Sequence, residues 1–84
     1  MGKKEKLIAR LKTRPKNFTF DEMETLLKSL GYKISNKGKT SGSRITFSGQ
    51  NLPMVLLHKP HPRKELLSYQ IDQILEILES GGLI

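Results

Sequence analysis

Two side chains in this sequence, His58 and His61, change charge near neutral pH when unperturbed. Cations surround them in the chain. In NKGKTSGSRITFSG, residues 36–49, Lys37, Lys39 and Arg44 stand among glycines and hydroxyls around the apolar pair Ile45 and Phe47. Such residues can meet a phosphate: cations attract it, and an imidazole beside them can exchange protons with a neighbouring group. A lone histidine is more often structural or merely exposed, so position has to decide. His61 stands between two prolines, where packing or a backbone bond is somewhat favoured over catalysis.

The charge is consistent with a polyanionic partner, with plain solubility as an equal use for it. The net charge is +7. Residues 25–64 hold Lys28, Lys33, Lys37, Lys39, Arg44, Lys59, Arg63 and Lys64 with no Asp or Glu. Residues 65–84 hold Glu65, Asp72, Glu76 and Glu79 with no base. A positive middle and a negative end imply a directional field, suited to nucleic acid. Ser41, Ser43 and the loop glycines can aim hydroxyls and amides at phosphate. The loop lacks the glycine–lysine spacing of a nucleotide-binding motif, and no carboxylate cluster lies on the basic side to hold magnesium. No cofactor and no metal are expected. There is no cysteine, hence no disulfide or thiolate zinc site. No apolar run of signal or membrane length follows Met-Gly-Lys-Lys-Glu-Lys, so a cytoplasmic protein without a membrane partner is expected.

Elements that would position these groups can be read along the chain. Residues 3–13 have Leu7, Ile8 and Leu11 at helical spacing, and Arg14-Pro15 stops the helix. A second helix, about 20–30, has Thr19 as N-cap, Glu22 completing a capping box, and Phe18 with Met23 as a hydrophobic staple. Its buried stripe is Met23, Leu26, Leu27 and Leu30, and Gly31 supplies the left-handed closing position. Tyr32–Ser35 and Arg44–Ser48 alternate as strands, residues 54–58 (MVLLH) form a third, and Pro53 fits only a strand start or an edge. Lys59-Pro60-His61-Pro62 is an extended connector. Ser68 caps a last helix, about 69–80, with Ile71, Ile74, Leu75 and Leu78 on one face, ended by Gly81-Gly82. The order α-α-β-β-β-α predicts an α+β fold: a three-stranded antiparallel sheet with helices on one face and the other face open.

These residues also carry a family resemblance. LKSLGY, a strand, Lys-x-x-Gly-Ser, a hairpin, PHPRKEL and a short helix ending in GGLI together resemble the HicA toxin family over residues 21–84. The resemblance implies a double-stranded-RNA-binding-like fold for residues 18–84, with residues 1–17 as an N-terminal helical extension. It implies a type II toxin that cleaves messenger RNA without a metal and is neutralised by a HicB-like antitoxin. In that family the residue after Gly-Ser, at the start of the second strand, is usually the catalytic histidine. Here that residue is Arg44, whose guanidinium stays charged and cannot be a general base.

The chemistry must then be relocated. Pairing Phe47 with Val55 and Ile45 with Leu57 sets Arg44 opposite His58 on the open face, so that the two share one phosphate. The expected catalytic residues are His58, Arg44 and His61, and the expected RNA contacts are Lys37, Lys39, Ser41, Ser43, Arg44, Lys59, Arg63 and Lys64. A non-catalytic RNA-binding module and a protein-interaction domain with a basic face are the alternatives. Met54 and Leu56 would be left exposed, as a docking patch for the antitoxin, for a second copy, or for the chain's own first helix.

Overall fold

The computed structural model describes residues 2–34, 44–58, 60 and 64–84. Its elements are α1 (Lys3–Lys12), α2 (Phe20–Ser29), β1 (Lys33–Ile34), β2 (Arg44–Gly49), β3 (Leu52–His58) and α3 (Ser68–Ser80). The strands form one antiparallel sheet in the order β1-β2-β3. The expected α+β architecture is therefore present.

The second helix forms as its sequence dictates. Thr19 Oγ1 accepts from Glu22 N–H at 3.2 Å, and Thr19 N–H donates to Glu22 Oε1 at 2.9 Å, a reciprocal capping box. Phe18 and Met23 are both fully buried beside it. At the other end Tyr32 N–H reaches Leu27 O and Gly31 N–H reaches Lys28 O, with Gly31 at φ 105°. This is the Schellman closure, which requires a residue free to be left-handed.

The first helix joins the same core. Leu7 and Leu11 are buried within one hydrophobic cluster that also takes in Met23, Leu26, Phe47, Val55, Ile71 and Leu78. α1 packs against α2 and α3. It therefore does not cover Met54 and Leu56, which remain 60% and 57% exposed. That option for the patch is corrected: the leucines of α1 are already committed to the helical side. Arg10 of α1 pairs with Glu22, donates to Asn17 O at 3.0 Å, and lies 5.1 Å over the Phe18 ring. α1 ends where proline requires, with Arg14 turned to φ 53°.

Smaller departures have clear causes. Leu30 and Ile45, expected in the core, are half-buried against its margin. Ile34 lies opposite Phe47 but is 42% exposed, because β1 is a short edge strand. Ser68 is the first helical residue of α3 and not its cap. The capping position is Leu67, whose N–H donates to Gln70 Oε1 at 2.8 Å. After the connector, Thr19 and Glu65 form an antiparallel bridge, with Phe20 N–H on Lys64 O at 3.1 Å and Leu66 N–H on Phe18 O at 2.8 Å. The return of the chain to α3 is thus stitched to the start of α2.

Burial pushes the Glu22 carboxyl up, but the Thr19 N–H and the Arg10 guanidinium outweigh it and hold the carboxyl below its ordinary value of 4.5. A carboxyl lowered on folding stabilises above its unfolded pKa and loses that contribution as pH falls through the folded one. Glu22→Gln should therefore be less stable than the parent at neutral pH, and the gap should close on acidification below about 4.5. Thr19→Ala should cost about 1 kcal/mol of stability in denaturant titration.

Candidate nucleic-acid interface

The hairpin β2–β3 decides which side chains meet on the open face. Its register is Arg44↔His58, Ile45↔Leu57, Thr46↔Leu56 and Phe47↔Val55. Phe47, Val55 and Leu57 are buried against the helices, so Thr46, Leu56 and His58 stand on the opposite face. Residue 44 is in register with the exposed His58, as the sequence pattern predicts.

Turn chemistry fixes that register. Gln50 and Asn51 make the two-residue connection, with Asn51 left-handed at φ 62°. Between Phe47↔Val55 and Gly49↔Leu52 the register shifts, leaving one extra residue in β3 around Pro53 and Met54. A bulge on an edge strand is where a residue without an N–H is tolerated. The Pro53 carbonyl is used: it accepts the Tyr32 hydroxyl at 2.7 Å. Tyr32 is buried, which pushes its phenol above the ordinary value of 10.0.

The far end of β3 is held by Gln70, a residue that sequence reasoning passed over. It is a buried polar side chain, 5% exposed. Its Oε1 takes the Leu67 N–H at 2.8 Å and its Nε2 donates to His58 O at 3.0 Å. One amide thereby caps α3 and ties it to the backbone of His58. The signal in the sequence was a glutamine three residues after the capping position Leu67, on the face shared with Ile71 and Ile74.

A second residue passed over is Lys33. It is exposed and pairs with Ser48 across β1 and β2, so it shares the face of Thr46 and His58. Strict alternation from the buried Tyr32 would have found it. Lys64 is exposed beside the start of α2. Lys37, Lys39, Ser41, Ser43, Lys59, His61 and Arg63 lie outside the described residues, and of Arg44 only the backbone is placed. Beside the open face, Met54 and Leu56 line a shallow depression with Gln73, Glu76 and Ile77 of α3. Among the described residues no group of three His, Asp or Glu could hold a metal ion. No described helix is long and apolar enough to cross a membrane.

The stretch from α2 to α3 that carries this face, residues 20–79, matches the family model described as the HicA toxin of bacterial toxin–antitoxin. The chain belongs to the HicA toxin family. The match takes in the capped helix, the three strands and nearly all of α3, and it leaves α1 outside. No curated protein and no solved structure matches the chain. Members of the HicA family are the toxin partners of antitoxins, which is the functional class of this chain.

The Gln70 bridge makes a prediction that is independent of activity. Gln70→Glu keeps an oxygen for Leu67 but sets a buried carboxylate against the His58 carbonyl. Burial raises such a carboxyl, and once protonated it can donate as the amide did. The variant should be less stable than the parent at neutral pH by about 1–3 kcal/mol, and that deficit should shrink as pH falls. Equal stability of the two at neutral pH would mean that the bridge contributes nothing.

Proposed function

We propose that this HicA-family chain is the toxin of a type II module and a metal-independent endoribonuclease of messenger RNA. The observation that carries the reading is the pairing of residue 44 with His58 on the open face of the sheet. In an antiparallel pair, opposed Cβ atoms are roughly 4.5–5.5 Å apart, so both side chains can reach one phosphodiester. The functional unit is residues 18–84, in the double-stranded-RNA-binding-like reading of the α-β-β-β-α order, and residues 1–17 are an extension to it.

The chemistry follows from the residue types. Neutral His58 takes the proton of the ribose 2′-hydroxyl as that oxygen attacks the neighbouring phosphorus. Arg44 offers two parallel hydrogen bonds to the non-bridging oxygens and stabilises the added negative charge of the phosphorane. The bond to the 5′-oxygen then breaks, and a second acid, for which His61 is the candidate, supplies its proton. Lys37, Lys39, Lys59, Arg63, Lys64 and the hydroxyls of Ser41 and Ser43 hold the flanking backbone, and Lys33, across from Ser48, adds a cation to the open face. The exposed Met54 and Leu56 suit an apolar contact with the HicB-like antitoxin, whose docking would close the same face.

One observation favours a second reading. Arg44 stands where the family usually has its histidine, so the fold could bind RNA without cutting it. Kinetics separate the two. His58→Ala should lower cleavage by about 10²–10⁴-fold and leave affinity nearly unchanged, since a neutral imidazole adds little to binding. Arg44→Ala should lower both, and Arg44→His should retain cleavage. A parent that binds RNA but leaves every transcript intact would establish the non-catalytic reading.

A further inference from the structure

The first 16 residues carry seven Lys or Arg against one acid, Glu5. They supply most of the chain's net charge of +7, yet they lie outside the family match. The structure separates these cations by what they do. Both arginines are spent inside the molecule. Arg10 pairs with Glu22, and Arg14 Nε donates to Asp72 Oδ1 at 2.8 Å. Glu5 is also spent, its Oε1 accepting from Gly2 N–H at 2.7 Å. Lys3 lines a hollow with Asp21 and Glu22. Lys4, Lys6, Lys12 and Lys16 are exposed and, among the described residues, have no ion-pair partner.

Docking of α1 does not need those four lysines. Leu7, Leu11 and Arg10 already fix the helix on α2 and α3. Glu5, Lys6, Ala9, Lys12 and Thr13, spaced by three and four, are exposed and form the outward stripe. The composition of that stripe selects among partners. A bilayer surface would need the apolar face of the helix, and Leu7 and Leu11 are buried in the core. A protein interface draws its energy from aromatic residues and arginine and is poor in lysine, but here the arginines are occupied and no aromatic is present. Lys4 and Lys16 lie off that stripe but are exposed as well. Exposed lysines beside a stripe with no large apolar side chain fit a phosphate backbone, which they meet as point charges whatever the base sequence.

We propose that Lys4, Lys6, Lys12 and Lys16 form a second phosphate-contacting surface, which engages the flanking backbone of an RNA held at the sheet face. The proposal rests on the RNA-binding reading above and enlarges its footprint. Because α1 lies on the helical side, this surface contributes only to RNA long enough to extend past the sheet.

The test uses the full chain and single-stranded 2′-O-methyl RNA, which has no free 2′-hydroxyl to attack and so is not consumed. Affinity is measured against salt for a short and a long oligonucleotide, with the parent and with a variant carrying Lys4, Lys6, Lys12 and Lys16→Gln. Thermal melting of both proteins checks that the variant is folded. On the long RNA the slope of log affinity against log salt should flatten by about 1–3 units, since each lost phosphate contact removes about 0.7. On the short RNA the two proteins should agree. Identical slopes on both lengths would overturn the proposal while leaving the sheet-face reading intact. Loss of binding by the folded variant to anionic vesicles, with RNA affinity unchanged, would also overturn it. A parent that binds neither RNA would overturn both readings.

Discussion

A slip of β3 by one residue against β2 would bury His58 and Leu56 and put Val55 and Leu57 in water. Side chains of a strand alternate faces, so register and function cannot be separated here. Val55 and Leu57 are all but inaccessible, whereas Met54 and Leu56 are more than half exposed. The slip would exchange one apolar set for another, but it would also drive the His58 ring into an apolar core shaped for Leu57, and burying a polar group without a partner costs a few kcal/mol. The core on one side of the sheet thus sets the geometry of the open face on the other.

Other features reinforce that register from both ends. At the hairpin, the left-handed Asn51 and the bulge at Pro53 set the offset, and Tyr32 reaches across to the Pro53 carbonyl. At the far end, Gln70 ties the His58 carbonyl to the start of α3. α3 in turn is reached through the 64–66 segment, which bonds to residues 18–20 just ahead of α2. Arg10 closes the chain of contacts by joining α1 to Glu22, in the capping box of α2. Charge is unevenly distributed among the described residues: Lys33 stands on the open face, Lys4, Lys6, Lys12 and Lys16 are exposed on and just after α1, and α3 carries the exposed acids Asp72, Glu76 and Glu79.

Much of this was legible before any coordinates. The cap, staple and glycine stop of α2, the strand order and the pairing of residue 44 with His58 all follow from local rules. Those rules agree with one another, which is why they could be trusted together. What escaped was tertiary. Ser68 carries a better capping side chain than Leu67, but Gln70 reaches back to Leu67 and the helix starts there. Ile34 alternates correctly, yet β1 is too short for its burial to follow. The destination of α1 was open because a stripe of leucines specifies only that some apolar surface must cover it. Lys33 was countable as charge but not recognised as a neighbour of Ser48. The basic loop and the connector containing His61 supply much of the expected contact set and lie outside the described residues.

The central claim is that residues 44 and 58 act as a pair on one phosphate, and a double-mutant cycle measures this most directly. Values of kcat/KM for RNA cleavage would be compared for the parent, Arg44→Ala, His58→Ala and the double variant. Groups that serve the same phosphorane are not additive: with either one gone, loss of the other matters less. The double variant should therefore fall short of the product of the two single losses by about tenfold or more. Losses that multiply fully would mean that the two side chains act independently, and would contradict a shared site at this pair.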